Sequence, residues 1–238
     1  MRLRRAALLA LAVAGAYARG SRAQGAPGVA LASLPTVEVP AAEGHTLALL
    51  LSGDGGWAAG DRAMAEGLAR GGVAVVGLDS RAYLRTRRAT ADGLARDAAS
   101  LLERYGARWH RDRFVLLGYS RGADLAPFVV NRWPDSLRRR LVLVALVGLA
   151  ARASFEFHWE DLVRDAQRAS DLPVQPELER LHGVALLCLF GDGERGSLCP
   201  ALDRTLARAD RHPGHHEITA HTGGAVANRV LRELGPAS

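Results

Sequence analysis

A serine set between two glycines, in Gly118-Tyr119-Ser120-Arg121-Gly122, is the first place in this chain where residue type and spacing could do chemistry. In a GxSxG turn a strand runs so sharply into a helix that the serine backbone is strained and its hydroxyl projects above the sheet. Glycines flank it because side chains there would collide with the neighbouring backbone. The context fits, since apolar Phe114 to Leu117 precedes the turn and an amphipathic stretch from Ser120 to Asn131 follows it. A serine hydroxyl needs a base, and an imidazole base needs a carboxylate to orient it. On this turn the chain order is serine, then acid, then histidine.

Both partners follow in that order. The late apolar run Leu186 to Phe190 ends in Gly191-Asp192-Gly193-Glu194, which offers two carboxylates. Glu194 is preferred for its spacing from Gly191, with Asp192 the alternative. Further on, Pro213-Gly214-His215-His216 precedes the last helical segment. His215, next to the glycine, is preferred as base over His216. A tetrahedral oxyanion needs backbone donors: one from the residue after the nucleophile, Arg121, and one from a loop after an early strand. Leu51-Ser52-Gly53-Asp54-Gly55-Gly56-Trp57 occupies that place, so the amide of Asp54 or Gly55 is the expected second donor. The same loop lacks the Lys-Ser/Thr pair of a phosphate-binding P-loop. Candidates for substrate contact are Trp57, Asp124 one helical turn past Ser120, and Arg81 and Arg85 from an arginine-rich stretch that continues to Arg87 and Arg88. For Asp124 the preferred reading is that it braces the turn by hydrogen bonds.

The elements that must carry these residues alternate in type. Strands are expected at Thr46 to Leu51, Val73 to Leu78, Phe114 to Leu117, Leu141 to Leu149 and Val184 to Phe190, with Thr36 to Val39 a candidate edge strand. Helices are expected at Asp61 to Arg70, Thr90 to Tyr105, Ser120 to Asn131, Trp159 to Arg168, Pro200 to Arg208 and Ala225 to Leu234. Short, wholly apolar strands alternating with helices predict an α/β fold with a mainly parallel sheet covered on both faces. Functional loops then gather at the carboxyl ends of the strands. The less regular segment from Ala151 to Leu181 holds the aromatic cluster Phe155-Glu156-Phe157-His158-Trp159, which could be a cap over those loops or part of the core.

With 238 residues, 48% of them hydrophobic, one domain is the default. The formal charge of +6 comes mostly from Arg2, Arg4, Arg5, Arg19 and Arg22, leaving about +1 elsewhere, so nucleic-acid binding is not the expected function. Those arginines flank a short apolar stretch, Ala6 to Ala18, too short to span a bilayer comfortably. The pattern predicts a signal peptide over residues 1–23, cleaved after Ser21-Arg22-Ala23 or Ala16-Tyr17-Ala18, then an extension over 24–45 and the main domain over 46–238. Export to an oxidising compartment would let Cys188 and Cys199 pair. Closing so short a loop is worth about 3 kcal/mol. The two cysteines offer no zinc-binding spacing, and the expected chemistry needs no metal or cofactor.

Taken together, SGDGGW at 52–57, VVGLDS at 75–80, LGYSRGADLAPFVVNRWP at 117–134, the acidic loop ending in Cys199, and GHH at 214–216 resemble the AcvB/VirJ family of bacterial virulence proteins. The resemblance runs from about residue 46 to 234. It implies an α/β-hydrolase fold, a periplasmic location, and hydrolysis of an aminoacyl ester on an anionic phospholipid, lysyl-phosphatidylglycerol, in envelope lipid homeostasis. By position it makes Ser120 the nucleophile, His215 the base, and Glu194 or Asp192 the acid. It also implies secretion-machinery proteins as partners, which leaves a non-catalytic adaptor as one alternative and a broad small-ester esterase as another.

Overall fold

The computed structural model describes residues 33–86, 90–156 and 168–235. The expected signal peptide, Arg87, Arg88, Phe157, His158, Trp159 and nearly all of the helix expected from Trp159 lie outside the described residues.

Seven strands form one sheet: β1 (Thr36–Val39), β2 (Thr46–Leu51), β3 (Val73–Leu78), β4 (Arg113–Tyr119), β5 (Leu141–Val147), β8 (Leu186–Gly191) and β9 (Arg208–His212). A separate antiparallel pair, β6 (Arg152–Ala153) and β7 (Leu172–Pro173), lies between β5 and β8 in the chain. The order across the large sheet is β1-β3-β2-β4-β5-β8-β9. All neighbours are parallel except β1, which runs antiparallel to β3. The sheet therefore begins before the expected boundary at residue 46, with the candidate edge strand as its first member.

The helices are α1 (Ala59–Arg70), α2 (Ser80–Thr86), α3 (Ala91–Trp109), α4 (Arg121–Val130), α5 (Asp135–Arg138), α6 (Gln175–Glu179) and α7 (Ala220–Leu234). Alternate side chains of each strand enter opposite cores. Leu47, Leu49 and Leu51 join Leu94, Leu101 and Leu102 of α3 and the α4 residues on one face. Ala48 and Leu50 join Met64 and Leu68 of α1 and Val226 and Val230 of α7 on the other. Phe155 packs edge-on against Phe128 of α4, with ring centroids 5.5 Å apart, so this member of the aromatic cluster belongs to the core.

Helices α1 and α7 meet along a seam of glycines. A Cβ on Gly60 would lie 2.0 Å from the Ile218 carbonyl oxygen, one on Gly67 2.6 Å from Ala227 Cβ, and one on Gly223 2.7 Å from Ala63 Cβ. Larger residues would force the two helices apart.

One expectation fails after β8. Pro200 to Arg208 is not a helix but a single 3-10 turn, Cys199–Ala201, followed by a turn built on Asp203. The Asp203 side chain accepts from the Thr205 amide at 2.7 Å, taking a donor that a continuing helix would need. The chain then enters β9, whose mostly charged sequence Arg208-Ala209-Asp210-Arg211-His212 has no apolar signal because it is the exposed edge of the sheet. The arginine-rich stretch after β3 is helical as far as Thr86. Cys188 and Cys199 are joined in a disulfide that spans the loop between β8 and the 3-10 turn.

Candidate active site

Register brings the strand ends to one level: Leu51 pairs with Leu78 and Gly118, Tyr119 with Val147, and Gly191 with His212. The residues that follow, Ser52, Asp79, Ser120, Gly148 and Asp192, therefore share one edge of the sheet.

Ser120 sits between β4 and α4 at φ 52 and ψ −121, one of two non-glycine residues at positive φ among those described. Its amide donates to the Val147 carbonyl at 2.8 Å, which holds the strained turn against β5. The flanking glycines are demanded sterically. A Cβ on Gly118 would lie 2.3 Å from the Gly122 carbonyl oxygen, and one on Gly122 2.1 Å from that of Leu51.

The imidazole facing this serine belongs to His216, not to the expected His215. His216 Nε2 lies 2.8 Å from Ser120 Oγ, and its Nδ1 lies 2.7 Å from Glu194 Oε1. His215 turns the other way, with its ring over Gly193, where a Cβ would come within 2.3 Å of it. This loop has one more residue between Gly214 and the facing imidazole than the preferred spacing allowed. Glu194 is the carboxylate in contact, and Asp192 is an exposed turn residue whose amide donates to the His212 carbonyl at 3.0 Å. The second oxygen of Glu194 accepts from the Gly191 amide at 2.9 Å. Burial pushes the Glu194 carboxyl up, but the His216 hydrogen bond and the Gly191 amide together outweigh it and hold the group below its ordinary range.

Two residues that motif reasoning passed over fix the imidazole. Gly148, at φ 67, lies under it: a Cβ there would be 2.8 Å from His216 Cε1. The Tyr119 hydroxyl accepts from the Ile218 amide at 3.1 Å and faces the His216 carbonyl at 3.3 Å, pinning the histidine loop to the residue before Ser120. Burial raises the Tyr119 hydroxyl above its usual range, so it stays protonated. Tyr119 occupies a variable position of the motif, where only its size and hydroxyl could have marked it.

The loop after β2 passes close to Ser120. A Cβ on Gly53 would be 3.1 Å from Ser120 Cβ, and the Gly56 amide donates to the Gly53 carbonyl at 3.0 Å in a tight turn. Gly55 is the exposed outer corner of that turn, which leaves Asp54, adjacent to Gly53, as the better placed of the two expected donors. The Arg121 amide belongs to the first residue of α4. Asp79 holds the far end of the loop, accepting from the Trp57 amide at 3.3 Å and the Ala82 amide at 2.8 Å.

The substrate-contact candidates fare unevenly. The Trp57 ring lies on Gly77 of β3, where a Cβ would be 2.1 Å from it, so it fills the gap left by a missing side chain instead of facing substrate. Asp124 accepts from the Ala150 amide at 2.7 Å and braces the loop after β5, which is the structural role. Arg81 and Arg85 lie on α2, at the carboxyl end of β3 and so on the same edge of the sheet as Ser120, Arg81 half-buried and Arg85 exposed. Among the described residues no cluster of three or more potential metal ligands occurs, and no helix is long and apolar enough to cross a membrane.

Asp61, in the first turn of α1, is 1% exposed. One oxygen accepts from the Ala58 amide at 3.0 Å, and the other has no hydrogen-bond partner. Burial, with a smaller contribution from Asp79, raises its carboxyl to about 6 against the opposing backbone amides. A folded-state value above the unfolded one means the group's contribution is full below about pH 4 and is lost as pH rises through about 6. Asp61→Asn, which keeps the Ala58 acceptor, should therefore stabilise the fold above pH 6 by on the order of 2 to 3 kcal/mol. Thermal melts of both proteins at pH 4.5 and 7.5 check this: the gain at pH 4.5 should be roughly a third of that at pH 7.5, and an equal difference at both would refute it.

The fold and the serine turn define the class: this is an α/β-hydrolase fold. Similar solved structures include a lipase in open form (TM-score 0.58, 13% identity, covering 84% of this chain and 92% of that one). The monoacylglycerol lipase of Paleococcus ferrophilus is similar too (TM-score 0.55, 14% identity, 86% and 99% covered). So is the thioesterase domain from the curacin biosynthetic pathway (TM-score 0.55, 14% identity, 82% and 94% covered). Comparison with curated proteins finds no match. Residues 45–237 match the family of bacterial virulence proteins called VirJ, and the chain belongs to that family.

Proposed function

We propose that the protein is a serine hydrolase of carboxylic esters, acting in the periplasm on an aminoacyl ester of an anionic phospholipid such as lysyl-phosphatidylglycerol. The observation that carries the hydrolase reading is the unbroken relay Ser120 Oγ, His216, Glu194, with contacts of 2.8 and 2.7 Å. Ser120 attacks the acyl carbonyl while His216 Nε2 takes its proton. The oxyanion is received by the Arg121 and Asp54 amides, and His216 returns the proton to the leaving alcohol. A water activated by the same imidazole then hydrolyses the acyl-enzyme. Glu194 holds the Nδ1–H tautomer and stabilises the imidazolium.

Family membership supports an envelope setting, and the disulfide fits an oxidising compartment. The lipid substrate rests on the family resemblance, with Arg81 and Arg85 on the active edge as candidate contacts for a phosphate. The test is release of free lysine from lysyl-phosphatidylglycerol vesicles by the protein from Gln24 onward, beside Ser120→Ala and a soluble p-nitrophenyl ester. Release that vanishes in Ser120→Ala supports the whole reading. Cleavage of the soluble ester alone would retain the hydrolase and discard the lipid, and inactivity on both would discard the enzyme.

A further inference from the structure

Between Gly53 and Gly56 the loop beside the nucleophile reads Gly-Asp-Gly-Gly, so Asp54 is the one residue there with a side chain by which the loop can be held. Glycine-rich backbone is the most costly to order, and an oxyanion donor is useful only if it is already in place. The Asp54 carboxylate accepts a charge-assisted hydrogen bond from Arg121 Nε. Arg121 is the residue after the nucleophile, and its backbone is fixed by the serine turn and the start of α4. Its guanidinium also donates from Nη1 to the Ser154 carbonyl at 3.0 Å, reaching the segment just after β6. The side chains are 9% and 25% exposed, so the pair is only weakly screened by solvent.

Resting on the hydrolase reading above, we propose that Arg121 and Asp54 are positioning residues whose ion pair latches the two halves of the oxyanion site together. The two residues whose amides receive the oxyanion are thereby tied through their own side chains. The latch sets the separation of the donors, and its arm to Ser154 ties the segment after β6 to the same point. Its function is distinct from simple stabilisation, because a buried ion pair is often replaceable by apolar groups at no loss of stability, whereas removing one partner strands a charge.

That difference separates the latch from a merely structural pair. Four proteins are compared: wild type, Asp54→Ala, Arg121→Met and the double variant, with melting temperature, kcat and KM on a p-nitrophenyl ester, and affinity for phenylboronic acid, which forms a tetrahedral adduct on the serine. All keep the backbone amides. Either single change should lower kcat roughly ten- to a hundred-fold with little change in KM, as expected for donors displaced by a fraction of an ångström to an ångström. Boronate affinity should fall in parallel. In the double variant the melting temperature should recover, since no charge is stranded, while kcat and boronate affinity stay low.

Recovery of kcat together with stability in the double variant would overturn the latch and leave an ordinary structural pair. Single variants with wild-type kcat would overturn it equally. A wild-type protein that neither hydrolyses the ester nor binds the boronate would overturn the hydrolase reading itself, and the latch with it.

Discussion

Replacing His216 with alanine should abolish ester hydrolysis, lowering kcat by roughly 10⁴- to 10⁶-fold, the range seen when a base that works as a unit with its serine is removed. His215→Ala should stay close to wild type. The contrast is sharp because the two histidines are adjacent in the chain and both exposed, yet only His216 reaches Ser120 Oγ, at 2.8 Å. His215 contributes its backbone, with its carbonyl near Gly191, and a ring laid over Gly193, neither of which carries a proton to or from the serine. Steady-state rates on a soluble ester, with the folded state checked by circular dichroism, decide the matter. Loss of activity in His215→Ala with retention in His216→Ala would mean that the base loop turns over in solution.

The second large effect is expected at Glu194. Glu194→Gln keeps the shape and can still accept from the Gly191 amide, but it no longer favours the tautomer with the proton on Nδ1. A loss of about 10⁴-fold in kcat is expected, the size found for an equivalent change in a serine protease triad. Asp192→Asn should change little, since Asp192 is exposed and the carboxylate against His216 Nδ1 is that of Glu194. The pH dependence follows from the same geometry. The Glu194 carboxyl lies below its ordinary range, chiefly because the His216 hydrogen bond and the Gly191 amide overcome the effect of burial. Its stabilising contribution is therefore present above the unfolded carboxylate value, near 4.3, and is lost only as pH falls through the lower folded-state value. Between pH 5 and 7 the Glu194 carboxyl should therefore add no proton of its own to the acid side of a kcat/KM profile. A slope of two in that window would place the carboxylate titration there and contradict the geometry.

The parts of the fold that could be read ahead of the structure are those where one force dominates. Apolar strands such as Val73 to Leu78 are buried on both faces, and their composition admits little else. The serine turn was legible because its steric demands are severe: Gly118 and Gly122 each have a carbonyl oxygen where a side chain would begin. Where several weak local preferences compete, the sequence says less. Arg208 to His212 is a strand because β8 offers an open edge, not because its own residues favour one. Pro200 to Arg208 has helical spacing, but Asp203 captures the local amide first. The choice between His215 and His216 turns on a one-residue difference in a loop whose path is set by distant contacts, from Tyr119 and from the turn at Gly191 to Glu194. Trp57 had the right neighbourhood and the wrong direction, which residue spacing alone does not encode.

The glycine seam between α1 and α7 also has a bearing on time. Residues 59–70 have their close partner at 220–234, and Ser120 has its base 96 residues further along. A chain emerging from its N-terminus can pair β2, β3 and β4 early, but the face bearing Ala48, Leu50, Val115 and Leu117 lacks the cover of α7 until the last segment is made. Contacts so far apart in sequence close late and leave apolar surface open meanwhile. Ser120 is thus synthesised 96 residues before the imidazole that faces it, so that an incomplete chain can hold the serine turn without its histidine.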